Sequence, residues 1–493
     1  MIRDSFIEDK EPIANIVSRI FCVIFLIISA GVLFNIGIFG LLPTKYFFLL
    51  FIILLILNII FGLSAYRRRS SKKTLITFNI IMIIISVLLI FAGIKLDEIG
   101  SFIHKNFDDN KKYAIYEVIV SKNSKVNSFN DLYGSELFTY EEPVKEVQNN
   151  KLNEAVKNVI SDSTLLFKDD LDVVMNRVIS IPGAASVVNN GTFESYISVN
   201  EDYEEKIKII GEIKIEVLGD VSEEEEIKDN PITNTPFLFY ISGIDTRTNE
   251  MPTRSLSDVN ILMAVNPKTK KIAIVNIPRD TYVYVHGDTD KKDKLTHAGA
   301  RGGVELSKET IEDFIGLKIN RYMRVNFNFI SELVDKVGGI EVYSSESKSY
   351  KTAYGGCKIN PGKNTVDGKC ALGFVRERKS LKDGDRQRGK NQMQVIKTLF
   401  AKIAQDKSLI ANYSAFLESL NGTFETSLTS SETVALIRMQ INDMAEWKIE
   451  TYEVNGSDAM ETTASYPDQK LYVMKPNQST VDNAKKKLEE VLK

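Results

Sequence analysis

Four arginines and two aspartates, Arg376, Arg378, Asp383, Asp385, Arg386 and Arg388, fall within thirteen residues of a chain that otherwise prefers lysine, with 45 Lys against 17 Arg. A guanidinium presents a flat fork of donors that grips phosphate oxygens in pairs, so arginine in place of lysine points to a polydentate anion. A solvated loop beside a helix would also carry such a charge run. Ten of the twelve arginines beyond residue 96 lie between Arg247 and Arg388, which concentrates this chemistry in one region. Two carboxylates upstream offer a different chemistry. Asp245 follows one short apolar run and Asp258 precedes the next. At adjacent strand ends they would hold one hard cation, because Mg²⁺ takes one or two carboxylates and leaves its other positions to water and phosphate. The alternative role of such carboxylates is to cap turns.

Arg279 stands after Pro278, which ends a third apolar run and fixes the backbone at that point. Lys294 opens the stretch Lys294–Gly299, which leads through Gly302 and Gly303 toward a helix near Val304. Glycines before a helix invite an anion at its amino end, although the spacing is not that of a nucleotide P-loop. His297, within this stretch, is either a general base or a structural histidine.

Several elements must position these residues. Phe237–Ser242, Val259–Val265, Ile272–Ile277, Tyr322–Asn326 and Ile340–Tyr343 read as strands, and Gly303–Ile315, Asn328–Val337 and Arg386–Ile403 as helices. Their alternation predicts an α/β fold, an α/β/α sandwich with a mixed central sheet spanning residues 236–480, followed by a helical tail at 481–493. Ligands of such sheets bind where strands end, and each charged motif lies at an element edge. Side chains alternate along a strand, so Arg376 and Arg378 would share a face if extended. A helix starting within Asp367–Ala371 is therefore expected to end before Arg376. The apolar residues Leu317, Ile319, Phe327, Phe329, Ile330, Leu333 and Val334, with those of Gln394–Ile403, would line a slot for an apolar tail or simply form core.

Residues 1–96 are of another kind. Ile20–Leu42, Tyr46–Ala65 and Leu75–Ile94 each approach the roughly 20 apolar residues that cross a bilayer. The link Arg67–Lys73 carries five cations and the link before it only Lys45, so the positive-inside rule predicts a cytoplasmic amino terminus and an extracytoplasmic remainder. Residues 97–235 read as a small α/β accessory domain ending in the acidic, proline-punctuated segment Glu223–Glu226, Pro231 and Pro236. A net charge of −3 gives no basic field for nucleic acid. Three cysteines and three histidines are too few for a structural zinc cluster. Cys357 and Cys370 are either a disulfide or two buried thiols.

The motifs NIPRDTYV (276–283), DKLTHAGARGG (293–303), VNFNFISELVDKVGGIEVY (325–343) and ALGFVRERKSLKDGDRQRGKNQMQVIKTLFAKI (371–403), in this order behind a membrane anchor, resemble the LytR-CpsA-Psr family of bacterial cell-envelope proteins, in its capsule-associated branch. The resemblance implies a phosphotransferase that moves a teichoic acid or capsular polysaccharide from undecaprenyl pyrophosphate to peptidoglycan, with Mg²⁺ or Mn²⁺ at the pyrophosphate. It assigns Asp245 and Asp258 to the metal, and Arg279, Arg376, Arg378 and Arg388 to the pyrophosphate. Lys294, Asp385 and Gln392 become further lining positions, and Arg386 has no counterpart. The family carries an arginine two positions before its second metal aspartate. Leu256 stands there in this chain, with Arg254 as the replacement from upstream. No Ser-His-Asp or Cys-His order stands out, so direct displacement is expected, with Asp258 and Asp280 as candidate bases. A polyprenyl-phosphate-binding regulator and a polyprenyl pyrophosphatase are the competing functions.

Overall fold

The computed structural model describes residues 13–40, 42–67, 71–107, 112–143, 145–217, 232–246, 251–405, 420 and 422–493. The acidic segment Glu223–Glu226 and part of the Arg-rich link, Arg68–Ser70, lie outside the described residues. The chain divides into two compact units, one holding residues 1–105 with 413–417 and 429–444, the other 106–412, 418–428 and 445–493.

In the first unit the helices Ile13–Phe39, Thr44–Tyr66 and Lys72–Phe107 are long and apolar enough to cross a membrane. Only structures that satisfy their own backbone groups can cross hydrocarbon, and a helix does so along its whole length. Phe25, Val32, Ile36, Leu54, Phe61, Met82 and Leu89 pack together, while Ile27, Phe34, Leu63, Leu88 and Phe91 remain exposed on the outside, as lipid contact requires. The third helix has 36 residues, about 54 Å at helical rise, against about 30 Å of hydrocarbon. Its last turns, with Lys95, Asp97 and Glu98, therefore extend past the apolar span. Lys45 Nζ donates to the carbonyl of Asn442 at 2.9 Å, so the link between the first two helices and the end of the helix Ser430–Asp443 lie together.

The second unit contains two sheets. Strands Thr164–Lys168, Glu136–Tyr140, Ala185–Asn189, Lys112–Ser121 and Ile207–Val217 lie in that order in a mixed five-stranded sheet. One face packs on Leu152 and Val156 of the helix Asn149–Val159. The other packs on Val174, Met175 and Val178 of Leu171–Ser180 and on Phe193, Tyr196 and Ile197 of Asn190–Val199. Asp170 and Asn189 cap these last two helices by accepting from backbone N–H groups of their first turns.

The larger sheet has six strands in the order Phe424–Thr426, Arg321–Asn326, Phe237–Ile244, Ser257–Asn266, Lys271–Asn276 and Lys448–Glu453. Two neighbouring pairs are parallel and three antiparallel, the mixed sheet that the alternation predicted. Helices cover both faces. Leu238, Tyr240, Leu262, Ala264, Ala273 and Val275 meet Val304, Ile311 and Ile315 of the helix Leu295–Ile315 on one side. The last helix, Gln478–Leu492, is no separate tail: Val481, Ala484, Leu488 and Val491 recur at helical spacing and enter the same core. Helices Phe327–Lys336, Gly368–Arg376 and Gly384–Gln405 pack against one another, and the first and last of them also pack on the sheet. The helix expected from Gly303 begins earlier, at Leu295, and kinks at Gly302 and Gly303.

Candidate active site

Chain direction brings the charged motifs together. Strands Phe237–Ile244 and Arg321–Asn326 run parallel, so Asp245 and Phe327 both stand at their carboxyl ends. The antiparallel neighbour begins at that same end with Ser257, and the register shifts there from Gly243↔Val259 to Ile244↔Ser257. Asp258 is the extra residue of this bulge, a device that re-aims a side chain beside a site. The next strand ends at Asn276, and the turn Pro278–Thr281 follows. Thr296 N–H donates to the Arg279 carbonyl and Leu295 N–H to that of Thr281, both at 3.0 Å, which ties this turn to the helix Leu295–Ile315.

Arg279 Nη1 reaches Asp258 Oδ1 at 2.7 Å, and its Nε lies 3.7 Å from Asp280 Oδ2. Lys294 Nζ meets the other Asp280 oxygen at 2.9 Å. Burial works against the Asp280 carboxylate, but the charges of Arg279, Lys294 and Arg388 outweigh it and hold its pKa below the ordinary value. Its two oxygens anchor the two cations. Arg388 enters from the helix Gly384–Gln405 and is only 9% exposed. One turn position away, Gly389 packs so closely that a Cβ there would stand 2.4 Å from Asn276 Nδ2.

Arg376 is the last residue of the helix Gly368–Arg376, so the expected end before it is corrected by one residue. Asn391 and Gln392 donate their side-chain amides to the carbonyls of Phe374 and Val375, both at 3.3 Å, satisfying the terminal acceptors that a helix leaves open. Gln392 thus holds Arg376's helix. The Arg376 guanidinium lies over the Tyr354 ring at 3.6 Å and the Phe327 ring at 4.4 Å, and its Nη2 meets Asp245 Oδ2 at 2.5 Å. Glu377, buried beside it, accepts from the N–H groups of Ala353, Ser380 and Arg378, and these bonds outweigh burial to keep its pKa low. Cys357 and Cys370 form a disulfide, with Cα atoms 5.5 Å apart, joining the Tyr354 loop to the first turn of this helix. Tyr354 carried no sequence signal, since a loop aromatic has no period to mark it. Replacing Tyr354 by Ala removes one face of the sandwich. A cation–π contact contributes about 0.5–2 kcal/mol, so the affinity of the site for inorganic pyrophosphate is expected to fall roughly 2- to 30-fold in calorimetric titration.

The other expected positions differ in their surroundings. Arg376 closes a helix and only Glu377 beyond it is extended, so Arg376 and Arg378 do not share a strand face; Arg378 is exposed and pairs with no carboxylate among the described residues. Arg386 turns to Asp458 at 2.8 Å and the Gly456 carbonyl at 2.9 Å. Asp385 is in the first turn of Gly384–Gln405, and its side chain lies outside the described residues. Arg254 is buried and paired with Glu142 at 2.5 Å and Glu146 at 3.5 Å, both from the smaller sheet domain. His297 Nδ1 lies 2.6 Å from Asp293 Oδ1, and both are buried, the structural alternative of the two considered. The apolar slot divides: Leu317 and Ile319 join the core under Leu295–Ile315, a cluster that contains none of Phe327, Phe329, Ile330, Leu333 or Val334.

Two connected clusters therefore occupy one end of the sheet, Asp258–Arg279–Asp280–Lys294–Arg388 and Asp245–Arg376. Four cations against three carboxylates leave one net positive charge. A dianion bound there would leave one negative charge, which a cation would offset. Asp245 and Asp258, at adjacent strand ends, offer hard oxygen donors only, and such a donor set fits Mg²⁺ or Mn²⁺.

The LytR_cpsA_psr family profile matches residues 201–490. The polyisoprenyl-teichoic acid–peptidoglycan teichoic acid transferase TagU of Enterococcus faecalis is 33% identical over 231 residues, covering 47% of this chain and 74% of that protein. TagT of Bacillus subtilis, a transferase of the same description, is 28% identical over 271 residues, 54% of this chain and 80% of its own. The Biofilm regulatory protein A of Streptococcus mutans is 30% identical over 254 residues, 48% and 61% of the two chains. Among solved structures, B. subtilis TagV aligns with a TM-score of 0.44 at 27% identity, over 52% of this chain and 98% of that one. TagT bound to LIIa-WTA aligns with a TM-score of 0.44 at 25% identity, over 56% and 97%.

Proposed function

This chain belongs to the LytR_cpsA_psr family, and we propose that it transfers a cell-wall glycopolymer, of teichoic acid or capsular type, from undecaprenyl pyrophosphate to a peptidoglycan hydroxyl. The observation that carries this reading is the convergence of Arg279, Lys294, Arg376 and Arg388 with Asp245 and Asp258 at one sheet end. In the proposed step the hydroxyl oxygen attacks the phosphorus that bears the polymer. The bond to the second phosphate breaks, undecaprenyl phosphate leaves, and the hydroxyl proton passes to an oxygen of the transferred phosphate. Arg279 and Arg376 orient the two phosphates, and Arg388 and Lys294 stabilise the charge that develops on the leaving one, since preorganised donors do most where charge appears in the transition state. A divalent ion held by Asp245 and Asp258 would supply additional charge neutralisation there.

The three apolar helices anchor the protein in a membrane. The cationic link Arg67–Lys73 supports a cytoplasmic amino terminus, and in that orientation the transfer site faces the outer side, where peptidoglycan is. The purified full-length protein, given polyprenyl-pyrophosphate-linked polymer and peptidoglycan oligomers, is expected to form the phosphodiester-joined product with release of polyprenyl phosphate. Carrier release without joined product selects hydrolysis, and binding without turnover selects a regulatory role.

A further inference from the structure

The five residues Pro252–Leu256, which lead into Asp258, are held largely by the smaller sheet domain. Tyr113, at the start of that domain, accepts from the Thr253 N–H at 3.0 Å. Asn190 donates to the Arg254 carbonyl at 3.1 Å, and Glu142 and Glu146 take the Arg254 guanidinium. Glu194 Oε2 accepts from Ser255 Oγ at 2.6 Å and from the Leu256 N–H at 3.2 Å. The approach is close: a Cβ on Gly191 would stand 2.7 Å from the Ala300 carbonyl and 2.8 Å from Arg254 Cβ. At the loop's start, the buried Arg324 donates to the Pro252 carbonyl at 2.7 Å and pairs with Glu425 at 3.1 Å, which also meets Lys112 of the smaller domain at 3.5 Å.

We propose that residues 112–217 are a built-in brace for the transfer site, with Glu194 as a positioning residue that sets the Ser255–Leu256 backbone and through it the Asp258 carboxylate. The helix Leu295–Ile315 also holds this segment, with Ser255 N–H donating to the Gly299 carbonyl at 3.3 Å, and Glu194 adds an acceptor that engages two consecutive residues on the opposite side. Burial pushes the Glu194 carboxyl up to about 7, against the bonds from Ser255, Leu256 and Asn190. Burying an acid is costly, and the loop contacts are what its side chain gains in return. Arg254, which replaces no arginine at the phosphates, is then the cation that seats the brace.

The inference rests on the transfer reading for its effect on turnover, but the brace itself is tested without it. Hydrogen exchange is followed by mass spectrometry on the full-length protein in detergent, comparing the peptides that cover 252–259. Glu194→Ala is expected to speed exchange there about tenfold or more, and Glu194→Gln less, because its amide oxygen still accepts. Protection at 112–121 and 237–244 should be unchanged. If Glu194→Ala unfolds the smaller domain, Ser255→Ala removes a single donor from the receiving side and is expected to loosen the same peptides. Unchanged protection at 252–259 in both variants overturns the brace. Mn²⁺ titration by electron paramagnetic resonance separates the two readings. Asp258→Asn that leaves Mn²⁺ binding intact overturns the metal assignment alone, and exchange then decides the brace. Weakened binding in Asp258→Asn but not in Glu194→Ala or Ser255→Ala overturns the positioning role, whereas roughly tenfold weaker binding in Glu194→Ala supports it.

Discussion

Arg376→Ala is expected to lower polymer transfer by about 10² to 10³, the usual cost of removing one preorganised electrostatic donor. The geometry gives this residue an unusual hold. Its guanidinium is fixed between Tyr354 and Phe327 and by Asp245, so almost no reorganisation is needed when charge develops. Lysine should not rescue it. An ammonium has no plane to lie between two rings and cannot bind two phosphate oxygens side by side. The fold should tolerate either change, because the Asp245 carboxylate is 40% exposed and regains water when its partner goes. Unchanged thermal unfolding alongside the lost rate would place the effect in the transition state, while a wild-type rate in Arg376→Ala would remove Arg376 from the chemistry.

Chelation of divalent ions is expected to abolish transfer, and added Mg²⁺ or Mn²⁺ to restore it. Asp245→Asn and Asp258→Asn should each raise the metal concentration for half-maximal rate by at least about tenfold, the lower end of what even an indirect metal contact costs. The charge balance explains why. With Asp280 committed to Arg279 and Lys294, the four cations exceed the three carboxylates by one. Asn keeps the shape of each aspartate but loses its charge, and the metal dependence of the rate separates loss of the ion from loss of the Arg376 or Arg279 pair. A double variant should be little worse than either single one if both carboxylates serve one ion, since groups acting as a unit are not additive. Transfer that proceeds fully in excess chelator would exclude the ion from the reaction.

Much of the fold could be read from pattern. The runs from Phe237, Val259, Ile272 and Tyr322 are mostly apolar, interrupted only by Asn260, Asn276, Arg324 and Asn326 apart from a closing serine, as strands covered on both faces are, and each became a strand of the large sheet. Shorter elements such as Glu136–Tyr140, Thr164–Lys168 and Phe424–Thr426 gave no comparable signal, because three to five residues carry too few periods to stand out. The helix around Leu295 was hidden by the glycines that follow it. Gln478–Leu492 has the right spacing for a core helix, but spacing does not say which sheet it covers.

What the sequence by itself determined is the chemistry: which residue types are present, the arginine-rich run, the two aspartates at strand ends, and the membrane helices, all of which depend on composition and short-range period. Partner choice was decided only in three dimensions. Arg376 and Asp245 are 131 residues apart, and Arg254 and Glu142 are 112 apart. Strand order, a bulge at Asp258 and a helix end at Arg376 decide which guanidinium meets which carboxylate. Two arginines that look equivalent in sequence thus part ways, Arg376 to the sheet end and Arg254 to the neighbouring domain. A cation binds whichever anion the packing brings within reach, and that is settled by contacts among elements distant in the chain.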